Sequence, residues 1–362
     1  MTKLAALILA GGKARRFQVK SGGVWEDKAL ATLSGKPLLI RAVENVQGIV
    51  DDVAVSVNDE QRRVKYARIL KEHSLESVRV VIDEKTDISG PTVAIMSGLS
   101  RVQADYCLTL PVDMPFLQPK VADYLFKQAV GFEVATPMWP NGRLETLLTV
   151  LDREIGLEIT KTLCALKRPR SDDIQRGASK ALLVSAVNEI KVLDPELKSF
   201  ININSKEDLN LLQTRRAHGP VKQNVSLILG TTPVSDLNHL RKGAKMIQQA
   251  KLTEAQGVFS SCIKSFEDKE LSFWAGVSGE NQGETLLKLG GQQQEHKTAV
   301  ELDFEGKEAF LRSANNYRIE AERYEEHGCR LLAERGLADK AWCESWAMGK
   351  TAHGHRYSSK VA

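Results

Sequence analysis

Short apolar runs alternate with longer amphipathic stretches through the first 217 residues of the chain. Aliphatic and β-branched residues fill the short runs, which predicts buried strands. Apolar residues recur every three or four positions in the longer stretches, which predicts helices with one buried face. The predicted strands cover residues 4–9, 52–58, 77–82, 105–110, 134–137 and 147–150, and the predicted helices cover 38–46, 60–73, 94–102, 159–166 and 174–187.

This alternation predicts an α/β fold, in which helices sandwich a mostly parallel sheet. Ligands of such sheets bind beyond the carboxyl ends of the strands. Four of the predicted strands are followed by glycine or by a polar residue, namely Gly11-Gly12, Asn58, Asp83 and Asp113. We therefore expect these residues to meet at one edge of the sheet.

The pattern changes beyond residue 235, where apolar residues follow only the helical period. One series runs from Leu237 to Phe266 and another from Phe310 to Leu331, which predicts a helical domain. The predicted organisation is an α/β domain over 1–217, a linker over 218–234 and an all-α domain over 235–362. Similar pieces at 252–256 and 318–322 leave two alternatives for the last domain, a tetratricopeptide-like array and an unrelated helical bundle.

Composition adds a mildly basic formal charge of +4 and five scattered cysteines. No block of like charges suggests a nucleic-acid partner, and no apolar run of about 18 residues suggests a membrane span. The cysteines lack paired spacing and no secretory leader pattern is recognisable, which predicts reduced thiols in the cytoplasm. We expect the partners to be small phosphorylated ligands, without nucleic acid or membrane.

Basic residues directly follow the first glycine pair, in the run Leu9-Ala10-Gly11-Gly12-Lys13-Ala14-Arg15-Arg16. Glycines let backbone N–H groups approach an anion closely, and arginines fork onto phosphate oxygens. Lys28 is expected to add positive charge, and Asp113, between two prolines at a strand end, offers the oxygen ligand that Mg²⁺ requires. The sequence therefore predicts a site for a nucleoside triphosphate and Mg²⁺, with Arg16, Lys28 and Asp113 as catalytic residues.

Taken together, these motifs resemble those of the molybdenum cofactor guanylyltransferases, which belong to the nucleotide-diphospho-sugar transferase-like superfamily. The resemblance covers about residues 3–213 and rests on the glycine run and on further motifs in the family's order. Those motifs are Asp27-Lys28, Gly35-Lys36-Pro37-Leu38, Asn58, Asp83, Gly90-Pro91, Leu110-Pro111-Val112-Asp113-Met114-Pro115-Phe116 and Asn202-Ile203-Asn204-Ser205-Lys206-Glu207-Asp208.

The resemblance implies a Rossmann-like fold and the transfer of GMP from Mg-GTP to the phosphate of a molybdopterin-type cofactor, with release of pyrophosphate. The implied nucleotide-binding residues are Leu9, Ala10, Gly11, Gly12, Lys28, Asn58, Asp83 and Asp113. Within this set the two glycines and the lysine would hold phosphates, Asn58 and Asp83 would lie against the guanine, and Asp113 would bind Mg²⁺. The implied acceptor-binding residues are Asn202 and Asn204.

Two features depart from the family pattern. An insertion over 17–27, with Gly22-Gly23 inside it, separates Arg16 from Lys28 and gives a reach closer to that of sugar-phosphate nucleotidyltransferases. Family members usually lack the helical domain, which could hold a protein partner. Two alternatives stay open: a nucleotidyltransferase with another acceptor (a sugar 1-phosphate, a cytidylyl cofactor or a phospholactate), and a nucleotide-binding sensor with a helical scaffold.

Overall fold

The computed structural model describes residues 2–12, 27–204, 219–221 and 223–349. The chain divides into two compact units, residues 1–228 and residues 229–362. Arg16 and most of the insertion that follows it lie outside the described residues. Within the described ranges, none of the helices combines the length and the apolar character that crossing a membrane requires.

Ten strands are described in the first unit. In chain order they are β1 (Leu4–Leu9), β2 (Thr32–Leu33), β3 (Lys36–Pro37), β4 (Asp52–Val57), β5 (Arg79–Ile82), β6 (Tyr106–Pro111), β7 (Val134–Met138), β8 (Thr149–Asp152), β9 (Lys180–Ser185) and β10 (Val225–Ile228). Strands β2 and β3 form a small hairpin, and the other eight form one sheet in the order β10-β9-β7-β8-β6-β1-β4-β5. Only β8 and β10 run antiparallel to their neighbours in this described sheet, so the predicted mostly parallel α/β fold is confirmed.

The register of the central strands brings their carboxyl ends level. Leu9 at the end of β1 pairs with Ser56 of β4 on one side and with Pro111 of β6 on the other. Strands β4 and β5 pair Val57 with Ile82 in the same way. The residues that follow these ends therefore lie along one edge of the sheet: Gly11, Asn58, Asp83 and Asp113.

Helices cover both faces of the sheet. They are α1 (Leu38–Glu44), α2 (Glu60–Glu72), α3 (Pro91–Leu99), α4 (Pro119–Ala129), α5 (Arg153–Ala165), α6 (Asp172–Gly177) and the short α7 (Lys191–Leu193). Successive side chains of β1 point to opposite faces. Ile8 joins the core cluster that includes residues of α1 and α4, whereas Leu7 lies against Gly98 of α3.

The prediction of one helix over residues 174–187 was wrong. Helix α6 ends at Gly177, and Lys180–Ser185 forms β9, which pairs with β7 and β10. A short, fully apolar run such as Ala181 to Val184 suits a buried strand as well as a buried helix, so periodicity alone does not separate them. Pairing with β7 decides in favour of the strand.

The predicted linker over 218–234 contains an element of the sheet. Strand β10 (Val225–Ile228) pairs antiparallel with β9, with Val225 opposite Leu183. Asn224 adds a side-chain contact, because its Oδ1 accepts the N–H of Ser185 at 2.7 Å. The division between the two units accordingly falls between Ile228 and Leu229.

The second unit is helical, as its periodicity predicts. Its described helices are α8 (Val234–Gln248), α9 (Leu252–Glu267), α10 (Ser272–Gln292), α11 (His296–Glu326) and α12 (Arg330–Ala347). Each packs mainly on the helices next to it in sequence. The tetratricopeptide alternative stays a prediction: packing in sequence order suits an array, but α11 alone has 31 residues, nearly a whole tetratricopeptide repeat of about 34.

Glycines form the face of α10 that meets α11. A Cβ on Gly283 would lie 2.8 Å from the ring of Phe310, and one on Gly276 would lie 2.8 Å from the ring of Tyr317. Real Cβ atoms do not approach neighbours this closely without a shift, so only glycine permits this packing distance. Most of the polar, glycine-rich stretch over 276–297 accordingly belongs to α10, which packs on α11 through these glycines.

Candidate active site

A cleft of about 910 Å³ lies at the carboxyl edge of the sheet. Its lining includes every described residue predicted to bind the nucleotide: Leu9, Ala10, Gly11, Gly12, Lys28, Asn58, Asp83 and Asp113. These residues come from five separate parts of the chain: the register of β1, β4, β5 and β6 gathers all of them except Lys28, which the turn Lys28–Leu30 supplies. The volume suits a ligand of nucleotide size.

The glycine turn after β1 forms one wall of the cleft. A Cβ on Gly11 would lie 3.3 Å from the backbone nitrogen of Asn58 and 3.3 Å from Oδ2 of Asp83, so a side chain there would press on two other walls. Among the described residues, no acceptor takes the N–H groups of Gly11 and Gly12. Such free N–H groups at a glycine turn favour an anionic ligand.

Lys28 and Asp113 meet across the cleft. The Lys28 Nζ donates to Asp113 Oδ2 at 2.7 Å and to Asn204 Oδ1 at 3.1 Å. Asp27 fixes the start of the short 3₁₀ turn Lys28–Leu30, because its Oδ1 accepts the N–H of Ala29. This turn therefore directs the lysine ammonium toward the end of β6.

Asp113 offers a carboxylate that fits a Mg²⁺–nucleotide complex. Asp27 also lines the cleft, but both of its carboxylate oxygens face protein groups. Asp113 Oδ1, in contrast, meets no donor among the described residues. Within the described chain no cluster of three His, Cys, Asp or Glu could enclose a metal ion by itself. Mg²⁺ commonly takes one or two carboxylates and completes its shell with substrate phosphates and water, so a single carboxylate beside the glycine turn fits that ion.

Asp83 is a half-buried carboxylate beside Asn58. Its Oδ1 accepts the hydroxyl of Ser56, a buried residue of β4, at 2.5 Å. Burial raises the pKa of Asp83 to about 6, and the Ser56 hydrogen bond opposes the rise. The group therefore changes its charge within a range that ordinary buffers reach, and near neutral pH it is mainly an acceptor.

The start of α3 forms a further part of the lining, at the predicted motif Gly90-Pro91. Gly90 has φ of 150°, and a Cβ there would lie 2.9 Å from the carbonyl oxygen of Pro169. Pro91 then begins the helix at a position where its missing N–H costs nothing. Thr92 ties the same turn to the segment after α5, donating to the carbonyl of Arg170 at 3.0 Å.

The two predicted acceptor residues are placed differently. Neither asparagine is among the described residues that line the cleft. Asn204 is exposed and contacts Lys28 of the lining, whereas Asn202 is half-buried. Ile203 between them donates its N–H to the carbonyl of Asp113 at 2.8 Å, so this segment is fixed beside the end of β6.

Sequence reasoning missed Arg62 and Tyr66 of α2. Arg62 Nη1 donates to the carbonyl of Gly11 at 3.0 Å and to Oδ1 of Asn58 at 2.7 Å. The hydroxyl of the fully buried Tyr66 donates to Asp27 Oδ1 at 2.8 Å, and burial raises the pKa of that hydroxyl well above its usual value. Their spacing of four residues, which places both on one face of a helix, was the available signal.

Comparison with known proteins identifies relatives of the first unit. Residues 6–178 match the family described as the MobA-like NTP transferase domain. A protein of Methanosarcina acetivorans named "Probable molybdenum cofactor guanylyltransferase" is 34% identical over 206 residues, which are 57% of this chain and 88% of that protein. The "Molybdenum cofactor guanylyltransferase" of Ralstonia nicotianae is 28% identical over 224 residues, 59% of this chain and 97% of that protein.

A solved structure with a similar fold is that of molybdopterin-guanine dinucleotide biosynthesis protein A from Archaeoglobus fulgidus. It is 20% identical, with a TM-score of 0.47 over 57% of this chain and 95% of that one. The family match ends at residue 178 and does not describe the helical unit. The resemblance predicted from the motifs is confirmed by the relatives of known sequence, and this chain belongs to the family of MobA-like nucleotidyltransferases.

Proposed function

We propose that this enzyme transfers GMP from Mg-GTP to the phosphate of a molybdopterin-type cofactor and releases pyrophosphate. The observation that carries the proposal is the convergence, in one cleft, of the glycine turn, the pair Lys28 and Asp113, and the pair Asn58 and Asp83. The names of the relatives in Methanosarcina and Ralstonia support the choice of base and acceptor.

The reaction forms one bond and breaks one. A phosphate oxygen of the acceptor attacks the α-phosphorus of GTP, and the bond between that phosphorus and the bridging oxygen to the β-phosphorus breaks, so that pyrophosphate leaves. Bound Mg²⁺ would supply charge neutralisation at the phosphates, held by Asp113. The N–H groups of Gly11 and Gly12 bind phosphate oxygens, and the Lys28 ammonium offsets the negative charge that develops on the leaving group.

The pair Asn58 and Asp83 supports guanine as the base. Guanine presents an acceptor at O6 beside donors at N1 and N2, whereas adenine presents a donor at N6 beside an acceptor at N1. The ionised carboxylate of Asp83 can only accept, so it suits the N1 and N2 donors of guanine. The contact of Asn204 with Lys28 supports an acceptor position beside this lysine, to which Asn202 of the same segment would also belong.

Pyrophosphate release by the full-length chain tests the proposal. GTP, CTP, ATP and UTP are each supplied with Mg²⁺ and with molybdopterin as acceptor, and the dinucleotide product is identified by mass spectrometry. We expect release with GTP only, and loss of release when a chelator removes Mg²⁺. Release with CTP alone would assign a cytidylyl transfer instead, and no release with any nucleotide would overturn the proposal.

A matched pair of lysine variants locates the reaction in the cleft. Lys28→Met should lower both nucleotide affinity and turnover, because it removes the positive charge beside Asp113. Lys127→Met removes an equivalent charge from an exposed i,i+4 pair on α4 and should leave both unchanged. Equal behaviour of the two variants would contradict the placement of the phosphates.

A further inference from the structure

Arg62 of α2 holds together three segments that line the cleft. Its Nη1 carries two hydrogens, and one goes to the carbonyl of Gly11 while the other goes to Oδ1 of Asn58. Its Nε lies 3.6 Å from Oδ2 of Asp27, the residue before Lys28. The guanidinium side chain is only 23% exposed, so its contacts are shielded from water more than those of a surface arginine.

The contact with Arg62 determines which end of the Asn58 amide faces the ligand. A guanidinium has five N–H donors and no acceptor. The amide atom at 2.7 Å from Nη1 must therefore be the oxygen, since an amide NH₂ in that place would oppose donor to donor. The oxygen of Asn58 is thus occupied, and its NH₂ group is the end left for a ligand.

We infer that Arg62 is a positioning residue that makes Asn58 a hydrogen-bond donor and thereby sets the base preference of the site. This inference rests on the proposed function and goes beyond it, since it assigns the selectivity to a residue outside the family motifs. A donor at Asn58 beside an acceptor at Asp83 matches guanine, with its O6 beside N1–H. The same pair opposes adenine, whose N6 amine would meet the Asn58 amine.

Without Arg62 the Asn58 amide can rotate by half a turn and present its oxygen. Adenine then gains an acceptor for its N6 amine. Guanine loses the Asn58 donor to its O6 but keeps its contacts with Asp83. The expected change is in the ratio of affinities for the two nucleotides. A residue that only stabilised the fold of the loop would weaken both nucleotides in parallel and leave that ratio unchanged.

Four chains are compared by isothermal titration calorimetry with Mg-GTP and Mg-ATP: the natural chain, Arg62→Met, Arg62→Lys and Arg63→Met. Arg62→Met should lower the GTP-to-ATP affinity ratio about tenfold, the worth of roughly one hydrogen bond. Arg62→Lys should keep most of the ratio, because an ammonium also only donates. Arg63, which pairs with Glu60 at the surface, is the matched control and should not affect the ratio.

A natural chain that shows no preference for GTP would overturn the proposed base, before any variant is measured. A natural chain that prefers GTP, together with an Arg62→Met ratio equal to the natural one, would overturn the role of Arg62 and leave the proposed function standing.

A variant of Asn58 itself tests the same inference. Asn58→Asp removes the amide donor while keeping the size of the side chain, and it should lower the ratio even with Arg62 in place.

Discussion

Glycine lies at a turn that lines the cleft in the first unit and inside packed helices in the second. No described atom lies within 4 Å of a Cβ position on Gly12, and Gly11 is bordered by Asn58 and Asp83 of neighbouring strand ends. Gly276 and Gly283 of α10, in contrast, lie directly against aromatic rings of α11. The same residue type therefore keeps side chains out of the cleft in one unit and allows two helices to approach each other in the other.

This difference separates the two units in what a substitution should change. Substitutions at the cleft act on groups that are half exposed and available to a ligand, so their main effect should be on binding and turnover. Substitutions in the α10–α11 contact act on fully packed atoms, so their main effect should be on the free energy of unfolding. Three predictions test this separation, beginning with the largest effect.

Asp113→Asn should reduce turnover about a thousandfold, because a neutral amide holds a divalent cation far less well than a carboxylate. The melting temperature should stay nearly unchanged, since Asp113 is partly exposed and its main partner is Lys28. Steady-state pyrophosphate release and differential scanning calorimetry measure the two effects. Asp123→Asn, in the exposed pair with Lys127 on α4, is the control. Turnover within tenfold of the natural chain would argue against a metal role for Asp113.

Gly283→Ala should destabilise the helical unit by about 1–3 kcal/mol, the usual cost of adding a methyl group to a full interface. The added Cβ would lie 2.8 Å from Phe310 and 3.1 Å from the carbonyl of Gly306. Denaturant unfolding followed by circular dichroism measures the change, while affinity for GTP should stay the same. Gly257→Ala in α9 is the matched control, because no atom of the described residues lies within 4 Å of its Cβ position. This variant should be more stable by about 0.5–1 kcal/mol. A Gly283→Ala chain with the same free energy of unfolding as the natural chain would contradict the predicted contrast between the units.

Affinity for GTP should fall about tenfold between pH 7.5 and pH 5, because protonated Asp83 no longer accepts from the base. The pKa of this group is raised to about 6 by burial, above the value of about 3.9 for an exposed aspartate. Stability should respond with the opposite sign: the folded chain keeps this proton between about pH 4 and pH 6 while the unfolded chain loses it, so ionising Asp83 lowers stability as pH rises. Calorimetric titrations measure the affinity for GTP at each pH, and the same titrations with Asp83→Asn correct for protonation of the nucleotide phosphate. If the affinity of the natural chain changed with pH only as much as that of Asp83→Asn, the role of Asp83 would be contradicted.

The sequence predicts the cleft well because parallel strands convert sequence order into position. Asn58 and Asp83 follow strands that are adjacent in the sheet, and Asp113 follows the strand on the other side of β1. Polar residues at the ends of apolar runs are visible without a structure. The proximity of Lys28 and Asp113 was also predictable, because both belong to one predicted phosphate site.

Contacts that depend on packing were not predictable in the same way. Arg62 lies on a charged helix where only Tyr66 and Leu70 are buried. Its spacing from Tyr66 predicts a shared helix face but not its contacts with Gly11 and Asn58. The glycines of α10 oppose helix formation by intrinsic propensity, and the large residues that fill the space beside them come from α11. Residues 180–185 form a strand because they pair with β7. The two segments are far apart in sequence, so no local pattern predicts this pairing.

Strand β10 has a practical consequence for dividing this protein. A fragment that stops at residue 217, the predicted end of the α/β domain, would lack the strand that pairs with Leu183 and Ala181. Strand β9 would then present a bare apolar edge, and such edges recruit strands from other molecules and promote aggregation. A fragment extended to Ile228 keeps this edge paired, so solubility in isolation should depend on eleven residues that carry none of the proposed catalytic groups.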